Sequence, residues 1–279
     1  MNTPICLMTG IPRSGTTLCC KLLNSIPNTL ALHEPILPNS ISAAQPVADI
    51  MSSISALKQS LVLGRPFEHG DNGGLHIDNP IGEIKKDGIR LVTARRGKIA
   101  LSETVDDDVH LFVKQNAMFT ALLPALLTHY SVLAIVRNPV DVILSWLTVD
   151  LPVNRGRIPG GERFDSILKE QLNGINNRID RQWAIYQWFL KQYLQRTEAH
   201  LTIIRYEDII ASNGMVLQKC PFVASASRLE EKRLCTPERH FSEENYAEIL
   251  SIKSKLLAAD YGHLYSTEEI ASAYAKHGL

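Results

Sequence analysis

The sequence predicts an α/β fold, a single domain with a central parallel sheet flanked by helices. Three observations point to it. The apolar run Ile5 to Met8 passes through a glycine loop into the helical stretch Leu18 to Leu23. The buried-strand pattern Ser131 to Val136 ends in Arg137-Asn138-Pro139 and runs into another helical stretch. A third apolar run, Leu201 to Ile204, is followed by Arg205-Tyr206-Glu207-Asp208. Strands alternating with helices build parallel sheets. The 279 residues are enough for one such domain, 1–279, with a substantial core.

The first loop, Gly10-Ile-Pro-Arg-Ser-Gly-Thr-Thr17, sets the chemistry. Its glycines permit tight turns and close approach of backbone to a ligand. The amides from Ser14 to Thr17 fall at a helix N-terminus, a nest for an anion. An ordinary strand-to-helix turn would also use such glycines. A nucleotide-triphosphate loop has lysine after its last glycine; here Thr16 stands there, and the positive charge is Arg13. The loop therefore suits a 5′ group with two anionic units other than that of ATP or GTP.

The second strand, Thr29 to Leu32, ends in His33-Glu34-Pro35. Residues past the carboxyl ends of parallel strands face the ligand crevice. If the first two strands are neighbours, His33 and Glu34 project near Arg13. Residues from about 37 to 108 read as an insertion shaping the acceptor site. Within it, Ala44 to Leu63 is helical, with Ile50, Ile54, Leu57 and Leu61 on one face. Arg65 to Pro80 reads as a solvated loop rather than a metal site built from His69, Asp71, His76 and Asp78. Ile89 to Leu101 reads as a hairpin around Arg95-Arg96-Gly97-Lys98.

Leu111 to Lys114 is a further strand with Lys114 at its carboxyl end, followed by a long helix, Ala117 to Tyr130. Pro139 suits the first turn of the helix after Val136. Arg137 then sits at a strand end, with Ser145 in the next helix. A guanidinium fork and a hydroxyl suit a second phosphate. Later helices are expected over Arg163 to Leu172, Arg178 to Arg196 with its aromatics in the core, Tyr246 to Leu257, and from the capping-box pattern Ser266-Thr267-Glu268-Glu269 to His277. Met215 to Glu238 reads as irregular. Arg228, Lys232, Arg233 and Arg239 form a solvated basic face or extra phosphate contacts.

The formal net charge is zero, so no global field draws nucleic acid or an acidic membrane. No apolar run approaches the roughly 20 residues of a membrane span. The five cysteines have no metal-ligand spacing and predict reduced thiols, hence a cytoplasmic location. A strand starting almost at Met1 leaves no room for a leader.

Two anion sites without a triphosphate lysine describe a nucleotide phosphorylated at both 5′ and 3′ positions. On these residues the chain resembles the sulfotransferases that use 3′-phosphoadenosine 5′-phosphosulfate (PAPS). Pro12-Arg13-Ser14-Gly15-Thr16-Thr17 matches that family's 5′-phosphosulfate loop, and Arg137-Asn-Pro with Ser145 eight residues on matches its 3′-phosphate motif. Ile204-Arg-Tyr-Glu-Asp208 resembles a segment whose tyrosine, here Tyr206, lies beside the adenosine. The resemblance implies PAPS as co-substrate, 3′-phosphoadenosine 5′-phosphate (PAP) as product, and no metal. Where one branch of the family has its histidine base, this chain has Asn116, which takes no proton at neutral pH. Glu34 matches the glutamate base of other branches, with His33 in reserve, and Arg13 and Lys114 as the cations. The tyrosine-modifying branch has an arginine where Ile36 stands, so the acceptor stays open: a hydroxyl or amine, of a glycan or a lipid. Alternatives are an ATP-dependent small-molecule kinase, which lacks its lysine here, and a nucleotide-binding protein without catalysis.

Overall fold

A computed structural model of the chain describes residues 5–71, 81–86, 89–92, 95–101, 104–224, 233–235 and 241–279. The strands are β1 (Ile5–Gly10), β2 (Thr29–His33), β3 (Phe67–Asp71), β4 (Ile81–Lys86), β5 (Ile89–Val92), β6 (Arg95–Ile99), β7 (His110–Lys114), β8 (Ser131–Val136) and β9 (Leu201–Arg205). Five of them form one parallel sheet in the order β2-β7-β1-β8-β9, flanked by helices in a single α/β domain.

Burial follows from the alternation of side chains along each strand. Leu7, Leu32, Val113, Ala134 and Val136 enter one core, which packs under the Pro139–Leu147 and Arg178–Leu194 helices. Cys6, Met8, Ala31, Phe112, Leu133 and Ile135 enter a second core on the opposite face, with Cys19, Cys20 and Leu23 of the Thr16–Leu23 helix. Both faces are covered, which is why these strands read as continuous apolar runs.

The strand order corrects one expectation. β1 and β2 are not neighbours, because β7 lies between them and pairs with both. In that register Lys114 is opposite Met8 on one side and His33 on the other. The expected helix from Ala117 to Tyr130 is also shorter, divided into Asn116–Ala121 and Leu123–Leu126. Pro124 has no N–H to continue the ladder.

The insertion begins with the expected helix, Pro46–Val62, which buries Ile50, Ile54, Leu57 and Leu61. The hairpin reading was wrong in its pairing. β6 pairs with β3, which lies inside the stretch expected as loop, and β5 pairs with β4. Alternation marks strands but does not choose partners, which are set by tertiary packing. His76, Asp78, Arg228, Lys232 and Arg239 lie outside the described residues, whereas Arg233 is exposed. Trp183, Tyr186, Trp188 and Tyr193 are buried in the core as expected. The late helices run Pro159–Glu162, Ser166–Gly174, Glu243–Ser251, Lys253–Leu257 and Thr267–Lys276, the last opened by the Ser266–Glu269 capping box.

Candidate active site

The site forms at the carboxyl ends of the central strands. β1 ends at Gly10, where a Cβ would stand 2.5 Å from the Ile135 carbonyl oxygen, so only glycine lets the loop pass β8 this closely. The loop is then pinned from within. The Ser14 amide donates to the Ile11 carbonyl at 3.0 Å, and the Ser14 hydroxyl donates to the Ile135 carbonyl at 2.8 Å. Trp146 Nε1 donates to the Pro12 carbonyl at 2.8 Å. Gly15 takes a φ of 89° at the helix N-cap, and a Cβ there would collide with the Tyr206 ring at 2.5 Å. No side chain caps this helix. Its first-turn amides, at Thr16 and Thr17, thus form the positive end of the helix dipole with no acidic side chain in the turn.

A cation–carboxylate pair stands at the ends of β7 and β2. Lys114 Nζ donates to Glu34 Oε1 at 2.6 Å, and the Lys114 side chain is only 3% exposed. The Glu34 amide donates to the Lys114 carbonyl at 2.8 Å, so backbone and side chain lock the same pair. Glu34 takes a left-handed φ of 52°. The Cys20 thiol, in the helix that begins at the loop, is pushed up to about 12 by burial, with Lys114 lowering it and Glu34 raising it. His33 is half-buried, and its amide donates to Nε2 of buried His69 at 3.1 Å. The β2 end is thereby tied to β3 of the insertion.

The second basic group touches the first. Arg13 Nε donates to the Ser145 hydroxyl at 3.3 Å, and Arg137 Nη1 donates to the Arg13 carbonyl at 3.5 Å. The Arg137 guanidinium lies 4.4 Å from the centroid of the Tyr206 ring, a cation–π contact. Tyr206 therefore braces both Gly15 and Arg137. Arg137 is 4% exposed, and its Nε has no hydrogen-bond partner among the described residues. The buried Tyr186 hydroxyl donates to the Arg137 carbonyl at 2.8 Å, fixing the strand end.

Several contributors were not singled out from sequence. Asp141 Oδ2 stands 3.4 Å from Arg137 Nη2, and its Oδ1 accepts from His277 Nε2 at 2.9 Å. Burial would raise the Asp141 carboxyl. The His277 hydrogen bond and the charges of Arg137 and Lys276 outweigh that and hold it at about 2. Glu207 accepts from the Asn138 amide and from the Tyr265 hydroxyl, both at 2.9 Å. Asp141 had a signal, four residues after Arg137 on a predicted helix. His277 had none, since it is 136 residues further along the chain. Among the described residues no cluster of His, Cys, Asp and Glu could hold a metal ion.

Comparison with solved structures finds a sulfotransferase domain from the curacin biosynthetic pathway, 16% identical, with TM-score 0.41 over 99% of this chain and 98% of that one. A sulfotransferase from Alicyclobacillus acidocaldarius is 15% identical, with TM-score 0.41 over 92% and 94% of the two chains. One from Mycobacterium tuberculosis is 12% identical, with TM-score 0.36 over 100% of this chain and 77% of that one. No curated protein matches the chain significantly. The family model described as sulfotransferase domain matches residues 4–222, which span the loop, Glu34, Lys114, Arg137, Ser145 and Tyr206. The chain belongs to the sulfotransferase family.

Proposed function

We propose that the protein transfers a sulfuryl group from PAPS to a hydroxyl or amine of an acceptor, a glycan or a lipid. What chiefly supports this is a pair of contacts at Arg13: its Nε donates to the Ser145 hydroxyl, and its backbone carbonyl accepts from Arg137. They make one cationic cluster from the residues assigned to the two ends of the donor. The buried Arg137 guanidinium, with Nε unpartnered, fits a 3′-phosphate. The uncapped first turn at Thr16 and Thr17 fits the 5′ anion.

Transfer is a displacement at sulfur. A bond forms from the acceptor oxygen or nitrogen to sulfur, and the bond from sulfur to the oxygen bridging the 5′-phosphate breaks. PAP leaves with that electron pair. Glu34 receives the acceptor proton. Its carboxylate is 2.6 Å from Lys114 in the present arrangement. Lys114 and Arg13 meet the charge that builds on the bridging oxygen and sulfuryl group, and in doing so Lys114 releases Glu34 for the proton. The His33 amide ties the β2 end to His69, and His33 is the reserve for the base should Glu34 not serve. Pro12, Ser14 and Gly15 shape the loop, and Tyr206 supports the adenosine side. Positioning and electrostatics supply the rate here, as they do in phosphoryl transfer.

Among the described residues no helix is long and apolar enough to cross a membrane. The free cysteines, four of them buried, support a reducing compartment such as the cytoplasm. The deciding experiment is Glu34→Gln assayed with labelled PAPS against a panel of hydroxyl and amine acceptors. Turnover should fall by about 10²- to 10⁴-fold while PAP binding, followed by calorimetry, persists. Wild-type turnover with ATP as donor would favour a kinase, and donor binding without turnover on any acceptor would favour a binding protein.

A further inference from the structure

We infer that the helix Thr267–Lys276 belongs to the 3′-phosphate subsite, and that His277 is a positioning residue acting on Arg137 through Asp141. The inference rests on the PAPS reading. It starts from an imbalance around two charges. Arg137 is buried, yet its contacts to protein acceptors are long: 3.5 Å to the Arg13 carbonyl and 3.4 Å to Asp141, with none at Nε. Asp141 is held more closely from its other side, at 2.9 Å by His277, and Lys276 lies 3.9 Å away. An ionised carboxylate accepts only, so His277 Nε2 carries the shared proton.

A carboxylate this close to the guanidinium opposes a phosphate by like-charge repulsion unless its own charge is compensated. His277 and Lys276 provide that compensation without using Arg137. The guanidinium can then turn its donors to a phosphate while Asp141 keeps a partner. Without His277, Asp141 relies on Arg137, and the phosphate must compete with it. The same helix grips the next residue as well, since Asn138 Nδ2 donates to the Glu269 carbonyl at 3.3 Å. His277 also meets the Phe241 ring edge-on, 5.5 Å between centroids, so its substitutions must separate packing from proton donation.

The test is titration of the full-length chain with PAP and with adenosine 5′-phosphate, which lacks the 3′ group. The wild type should prefer PAP; equal affinity would overturn the donor reading itself. His277→Ala should weaken PAP about tenfold and leave adenosine 5′-phosphate unchanged. His277→Phe, which keeps an aromatic ring against Phe241, should show the same loss and serves if the alanine variant does not fold. His277→Gln, which keeps an N–H donor, should retain PAP affinity. In an Asp141→Asn background the His277 substitutions should cause no further loss. Equal weakening of both nucleotides, or an undiminished loss without the Asp141 carboxylate, would reduce His277 to a structural role.

Discussion

At the residue scale, Asp141 couples stability to pH. Its folded value is about 2 against 3.8 for the free group. A lowered carboxyl stabilises the fold above its unfolded value, and that contribution is lost as pH falls through the folded one. Asp141 should therefore contribute about 2 kcal/mol near neutrality, disappearing between about pH 4 and pH 2. In urea unfolding, Asp141→Asn should be less stable than wild type at neutral pH, and the difference should shrink in that acid window. A gap that stays constant down to pH 2 would contradict it. Arg13, Glu34, Lys114 and Arg137 could be placed from sequence at or just past strand ends, because apolar runs mark where strands stop. The partners that tune them could not. His277 reaches Asp141 through folding alone, and no local pattern encodes a contact across 136 residues.

At the scale of elements, the insertion of β7 between β1 and β2 matters most for chemistry. It puts Lys114 directly opposite His33, and hence beside Glu34. The strands themselves were readable from their apolar runs, but their order was not, since it depends on which crossover connections pack. The same gap explains the insertion, where β3 found β6 rather than staying a loop. Capping signals were more dependable because they are local. Ser266 accepts from the Glu269 amide at 3.2 Å, and the Glu269 carboxylate accepts from the Ser266 amide at 2.9 Å. Ser266→Ala should destabilise the protein by about 1 kcal/mol in urea unfolding. Because that helix carries His277, PAP affinity should weaken with it.

At the scale of the whole molecule, net neutrality conceals a concentrated cationic site. Arg13, Lys114 and Arg137 stand at or just past the carboxyl ends of the three inner strands β1, β7 and β8, in a chain whose formal charge is zero. A ligand bearing phosphate at both ends of adenosine should stabilise the native state as a unit. At a hundred times its dissociation constant PAP should add about 2.7 kcal/mol, read as a raised melting temperature, and ATP at the same concentration should add little. Equal shifts with both nucleotides would count against a 3′-phosphate subsite. The backbone at Arg13 and Glu34 carries a longer-term consequence. Of the four described non-glycine residues with positive φ, two are asparagines, Asn28 and Asn213, which tolerate that conformation; the others are Arg13 and Glu34. Directed evolution scored on heat resistance alone would drift toward glycine or asparagine at those two positions. It would relax the chain and discard both the cation and the carboxylate proposed for the reaction, so a thermostable descendant must be bred with turnover as a second criterion.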